Sequence, residues 1–234
     1  MATTRFWLDV PYAEKDEAKG YGARWDPRVR RWYAPRTGIR ELERWKAQPD
    51  VPELLPGEDR SFGNGLFVDL VPKSCWFTNV RSCVSERDWE RLRRMITTRA
   101  GQRCEVCGRA ADRDTGRWLE AHERWAYDSE ARVQSLRRLI CLCTDCHQTT
   151  HFGLASVKGK DKEALMHLQS ITGLTEYEAT EFVDAAFELW HQRSLTHWEL
   201  DLDMLTKAGI TLKKPPPPGE RHRVAAQRLL EDNQ

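Results

Sequence analysis

The chain has 234 residues, 40% of them hydrophobic and 31% charged, which leaves room for one to three small domains but not for one large core. Its net charge is only +1, so any affinity for nucleic acid has to come from local patches and not from the field of the whole molecule. No apolar run reaches eighteen residues and no charged-then-apolar leader opens the chain, so neither a membrane span nor a signal peptide is expected.

Residues 1–48 read as the first unit. Arg5-Phe-Trp-Leu-Asp-Val10 alternates like a strand and stops at Pro11. Tyr12 to Tyr21 reads as a helix with a charged outer face, ended by Gly20 and Gly22. From Ala23 to Pro35 a hairpin is expected, its turn at Asp26-Pro27 and its arms carrying Trp25, Trp32 and Tyr33. Arg24, Arg28, Arg30, Arg31 and Arg36 are candidate phosphate contacts with Trp25, Trp32 and Tyr33 as rings for bases to stack on, set against a core role that so small a unit favours for Trp25 and Trp32. The run from Leu8 through Gly20-Tyr-Gly-Ala-Arg-Trp-Asp-Pro27 to Pro35 resembles a small accessory domain found on conjugative-plasmid primases and other DNA-processing proteins. That resemblance implies a nucleic-acid setting without an activity.

Residues 49–65, with Pro49, Pro52, Pro56, Gly57, Gly63 and Gly65, have the composition of a linker. Leu66 to Val71 then reads as a strand. Ser85 caps a helix expected to reach about Arg99, with Asp88 at the third position. Arg87, Arg91, Arg93, Arg94 and Arg99 make it the most basic helix of the chain, and Arg91 and Arg94 are candidates to lie along a DNA backbone.

Cys104-Glu-Val-Cys107 follows at once, and Cys143-Thr-Asp-Cys146 answers it about thirty-five residues later. Two CxxC knuckles bring four soft sulfurs to one point, the ligand set of a closed, structural Zn²⁺. Such thiols fit a reducing, cytoplasmic setting. His147 and His151 are four residues apart, so on a helix they share a face and can hold one ion together. An HxxxH zinc protease would place Glu directly after the first histidine, and here Gln148 stands there. Between the knuckles, Trp118 to Glu123 reads as a short strand ending in a polar turn.

The order CxxC, then a strand carrying His122, then Leu142-Cys-Thr-Asp-Cys-His147 with His151, resembles the zinc-braced HNH nucleases over about residues 86–155. The resemblance implies a ββα-metal core and hydrolysis of a DNA phosphodiester to 5′-phosphate and 3′-hydroxyl. Carried over, His122 is the general base and His147 and His151 hold the catalytic ion. Two positions depart from that pattern. Ala121 stands where a ligand is usual, and Arg138 stands at the usual Asn position, five residues before Cys143. A shift by one residue makes His122 the third ligand and Glu123 the base, with Glu120 a further candidate on the strand face of His122. Gln134 is the substitute for the missing Asn, and Arg138 joins the candidate phosphate contacts. The catalytic ion is left as Mg²⁺, Mn²⁺, Ni²⁺ or Zn²⁺.

Beyond Gly153 the chain turns helical. Asp161–Thr172 and Thr175–Gln192 show apolar residues at helical spacing, Thr175 and Glu178 form a capping box, and Trp198–Leu205 is expected as another short helix. Pro215–Pro218 reads as a stiff spacer before a short amphipathic tail helix. The expected fold is α+β: an accessory unit (1–48), a linker (49–65), a zinc-braced ββα-metal core (66–156), a helical cap (157–212) and a tail (213–234). The expected activity is that of a metal-dependent HNH-type endonuclease, set against a catalytically inactive zinc module that binds DNA or a protein. DNA is the expected partner ahead of RNA, and homodimerisation is left open.

Overall fold

The computed structural model describes residues 5–76 and 79–214. The proposed spacer and tail helix lie outside the described residues. The chain forms a mixed α+β structure with a small N-terminal sheet, a long β-hairpin bearing the cysteines, and helices at the C-terminal end.

Three short antiparallel strands, β1 (Phe6–Leu8), β2 (Arg24–Asp26) and β3 (Arg31–Ala34), pair in the order β1-β3-β2, with helix α1 (Lys15–Gly20) between the first two in sequence. The expected hairpin is therefore present. Its turn is tightened by the Asp26 carboxylate, which accepts from the Arg28 amide at 2.9 Å. Leu8, Val10, Ala18, Ala34, Leu42 and Trp45 are buried together. Trp25, expected in that core, is 46% exposed, and Trp32 only packs against its edge. With strands this short, the core is closed by Leu42 and Trp45 from the 3₁₀ turn at 40–45, leaving Trp25 at the rim.

This unit is tied to the rest of the protein through Asp9, which is buried. Its carboxylate meets Arg31 at 3.3 Å and Arg94 at 3.1 Å, and accepts from the Gln48 amide at 2.9 Å. Arg91 donates to Gln48 Oε1 at 2.8 Å and to Pro49 O at 2.5 Å.

Residues 49–65 are irregular, as composition suggests, but they are not a free linker. Val51 and Leu55 are core residues, and Glu58 is buried against Arg99. Pro and Gly set the turns, while the apolar residues between them supply enough buried surface to hold the segment down. At Gly63 the backbone is left-handed (φ +63°), and a Cβ there would stand 3.1 Å from Arg124 Cδ, so only glycine fits without displacement. Leu66–Val71, expected as a strand, joins no sheet ladder. It runs as an extended segment whose Asp69 amide donates to Thr150 O at 2.9 Å, with Leu66 and Val68 buried.

After the single turn α2 (Val80–Cys83), Ser85 accepts from the Asp88 amide and opens α3 (Glu86–Arg99), as its sequence requires. The hairpin consists of β4 (Leu119–Asp128) and β5 (Val133–Cys143). The expected stop at His122-Glu123 does not occur. The pattern of half-buried and buried residues continues to Asp128, whose carboxylate accepts from the Glu130 and Ala131 amides and makes the turn there. The register shifts between Arg124 and Trp125.

One face of the hairpin packs on α3, Val51, Leu55 and Val80; the other packs on the helices that follow. These are α4 (Thr144–Thr150), α5 (Phe152–Val157), α6 (Asp161–Thr172) and α7 (Glu176–Ser194), the last opened by the expected Thr175–Glu178 capping box. Leu168, Ala179 and Val183 bury the apolar stripes of α6 and α7 against α4 and the cysteines. The last expected helix is partly strand: β6 (Glu199–Asp201) pairs in parallel with Val133–Ser135 of β5, and α8 (Asp203–Lys207) follows. Leu202, Met204 and Leu205 return to the α3 face, so the chain end closes the main core and is not part of a separate cap.

Candidate functional site

The cysteines come from three local structures. Cys104 and Cys107 lie in the turn after α3, where the Gly108 amide donates to Cys104 O at 2.9 Å and glycine takes φ +71°. Cys143 ends β5, and Cys146 stands in the first turn of α4. Their four sulfurs lie within 4.8 Å of one another, and Cys107 Sγ is 3.6 Å from Cys143 Sγ. Four Zn–S bonds of about 2.3 Å in a tetrahedron would set sulfurs about 3.8 Å apart, so the residues fit zinc. The thiols also share hydrogen bonds among themselves: Cys104 is held low by Cys143 and Cys146, and those two are pushed up, Cys143 to about 12. The support for a structural Zn²⁺ is the convergence of the four sulfurs, three of them buried; a bound ion would replace these shared protons and hold all four as thiolates.

Two further residues border this cluster, and no spacing in the sequence pointed to either. His167 of α6 places Nε2 3.2 Å from Cys146 Sγ, and Arg109 lies 3.2 Å from His167 Nδ1 and 3.3 Å from Asp145. Glu105, inside the first knuckle, accepts from the Cys141 amide at 2.7 Å and from Arg138 at 3.0 Å, which fastens the knuckle to the sheet.

A second cluster lies beside the first. His122, His147 and His151 each offer a ring nitrogen within 4.8 Å of the others, and their ring centres are 4.6–5.2 Å apart. His147 and His151 come one helical turn apart from α4 and from its C-cap, and His122 comes from the middle of β4. Burial pushes His147 down to about 4, His151 to about 3 and His122 well below the usual histidine value, so all three rings are neutral at pH 7 with lone pairs free for a cation. Among the described residues the buried His122 Nε2 has no hydrogen-bond partner, a donor atom of the kind a metal completes.

Two carboxylates flank the rings. Glu120 Oε2 is 3.2 Å from His147 Nδ1, and Glu123 Oε2 is 3.7 Å from His122 Nδ1. They differ in access. Glu123 is buried, accepts from the Val80 amide at 2.8 Å, and is pushed up to about 7 by burial. Glu120 shares the strand face of His122, as alternation requires, and its side chain is 38% exposed. Burial raises its carboxyl as well, against a hydrogen bond from Thr144.

Arg124, absent from the sequence-based candidates, is the next residue on that face and is fully buried. Its guanidinium donates to Gly65 O at 3.3 Å and lies 4.2 Å from the Phe67 ring centre, with Nε and Nη1 unpartnered among the described residues. Burial lowers it to about 10, and Asp69 opposes that shift. Its only sequence signal was the i+2 spacing from His122.

Gln134 does not stand in for the missing Asn. It is buried and donates to Tyr127 Oη at 3.3 Å, six residues along β5 from the partner of His122, a distance of about 20 Å in a strand. The arginines divide in two. Arg138 is buried between Phe62 O, Asn64 and Glu105, and Arg91 is buried on Asp88, Gln48 and Pro49 O, so neither side chain faces a phosphate. Arg31 and Arg94 are both engaged by Asp9 and Asp50, and Arg30 donates to Gln102. Arg24 and Arg28 are exposed.

A family model described as a domain of unknown function (DUF5710) matches residues 5–46. Two proteins named DNA primase TraC, both from Escherichia coli, are 58% identical to this chain over 31 residues, 13% of the chain. The aligned stretch is 2% and 3% of the length of those primases, so the likeness is to one small unit of them. It agrees with the primase-associated unit expected from the run Leu8–Pro35 and does not reach the cysteine and histidine clusters. No HNH family model is matched, and no solved structure matches the chain.

Proposed function

We propose that the protein is a metal-dependent endonuclease of the HNH type acting on DNA. The observation that carries this reading is the convergence of His122, His147 and His151 on one point at the junction of a β-hairpin and a helix, beside a separate Cys₄ cluster. A divalent ion bound there supplies charge stabilisation at a phosphate and a more acidic water. The chain's part is to hold and orient that ion and to take up a proton.

Geometry divides those roles. Three neutral imidazoles fill ligand positions, which favours the register with His122 as a ligand over His122 as the base. Glu123, closed in and accepting from the Val80 amide, lies 3.7 Å from His122 Nδ1, near enough to orient that ring when it binds an ion. A carboxylate in that position fixes the tautomer and strengthens the ligand. Glu120 lies closer to its ring, 3.2 Å from His147 Nδ1, and also reaches solvent, so it is the carboxylate that can accept the proton of an attacking water and release it.

Nicking of supercoiled plasmid with Mg²⁺, Mn²⁺, Ni²⁺ or Zn²⁺ added in turn tests this reading. Cutting should require added metal and vanish in His147→Ala. Glu120→Gln should lose roughly 10²–10⁴-fold in rate at any metal concentration. Glu123→Gln should instead need roughly 10–100-fold more metal and recover when it is supplied. Absence of cutting with every metal, with DNA binding retained, would replace the enzyme by an inert zinc module.

A further inference from the structure

The N-terminal sheet has two unlike faces. Leu8, Trp32 and Trp25 stand in one cross-strand row, on the side that carries the domain core. The adjacent row, which alternation sends to the other face, is Trp7, Tyr33 and Arg24. Neither Trp7 nor Tyr33 belongs to any of the three apolar cores of the described residues, although both are large and half-buried. Their ring centres are 6.1 Å apart at an interplanar angle of 74°.

Cations surround the pair. The Arg5 guanidinium is 5.0 Å from the Tyr33 ring centre, and that of Arg31 is 5.7 Å from the ring centre of Trp7. Arg24 completes the row, exposed and with no carboxylate partner among the described residues. The acidic groups near this face are paired with its arginines: Asp26 with Arg5, and Asp9 and Asp50 with Arg31 and Arg94. The face therefore offers two rings, the exposed Arg24 beside them, and the half-exposed Arg5 guanidinium over Tyr33.

We infer that this sheet face, through Trp7, Tyr33, Arg24 and Arg5, is a binding site for single-stranded nucleic acid. Unpaired bases expose their flat faces and stack on aromatic side chains whatever their sequence, while the backbone phosphates take the arginines. A duplex keeps its bases stacked on one another and can use only the charges. The site goes beyond the nuclease reading and stands apart from it, because binding here needs neither the histidines nor a catalytic ion.

Fluorescence anisotropy of labelled oligothymidylate, oligouridylate and a duplex of equal length, with the full chain and no added divalent cation, tests it. The single strands should bind more tightly than the duplex, and the ratio between the two single strands assigns DNA or RNA. Trp7→Ala and Tyr33→Ala should each weaken single-strand binding about tenfold or more, as loss of a stacking ring does. Trp7→Phe should keep most of it, and the exposed Arg24→Glu should weaken it and flatten its salt dependence without altering the melting temperature. His147→Ala, which would abolish cutting, should bind as the parent does. Preference for the duplex, no binding of either single strand, or full binding by Arg24→Glu and Tyr33→Ala would overturn the assignment.

Discussion

Replacing Cys104 by alanine, or removing zinc with a strong chelator, is expected to unfold the hairpin core and not merely to alter a surface loop. Cys104, Cys143 and Cys146 are buried within the same apolar cluster as Ile140, Leu142 and Leu168. The four sulfurs join the end of α3, the end of β5 and the start of α4 at one point. A structural Zn²⁺ contributes on the order of 10 kcal/mol to folding in small zinc modules, against a total of about 5–15 kcal/mol for a typical domain. Losing it therefore removes most or all of the net stability. Cys141 serves as a control. It is buried and its thiol is pushed up to about 12, but it belongs to the α3-side core and is not one of the four clustered sulfurs, so it should be replaceable by alanine with zinc retained. Circular dichroism and zinc content measured on the two variants check this, and a stable, zinc-free Cys104→Ala protein would remove the proposed frame.

The four-cysteine cluster was legible in the sequence because metal chemistry constrains spacing. Two knuckles must each span a few residues, and nothing about the surroundings changes that. His147 and His151 were legible for a similar reason, one helical turn being a fixed distance. His122 was named correctly as a member of the histidine cluster, although the sequence left its role in two registers. The flanking groups were not legible. Arg124 and Asp69 carry meaning only through a segment folded over them, and His167 only through the packing of α6 on α4. Arginine roles failed in the same way: Arg91 and Arg138 have the composition of phosphate contacts, and only tertiary packing shows their guanidiniums turned inward. Trp25 and Trp7 show that an aromatic residue in a very short strand does not declare which face it takes until the register is known.

The segment 49–65 is the clearest case of composition misleading, and it carries the second large effect. Glu58→Gln is expected to destabilise the protein by about 3–5 kcal/mol, the usual result of leaving a buried charge without its partner. Glu58 receives Arg99 through both oxygens at 2.7 Å, and the same carboxylate accepts from the Leu139 amide at 3.0 Å and the Leu55 amide at 3.2 Å. Arg99 in turn donates to Glu53 O at 2.7 Å and to Leu139 O. One pair thus holds the irregular segment, the end of α3 and the centre of β5 together. Burial opposes the charge on Glu58, but Arg99 and the two amides outweigh it and leave the carboxyl below its usual range. A carboxyl whose folded pKa is depressed contributes stability above its unfolded value of about 4.3 and loses it only as the pH falls through the folded value. The deficit of Glu58→Gln should therefore be constant from pH 8 to pH 5 when urea midpoints are compared. A deficit that shrank across that range would mean that Glu58 is protonated in the native protein and that the pair is not ionic. Replacing both partners by apolar residues should cost less than either single change, because the penalty lies in the charge left alone and not in the space the pair fills.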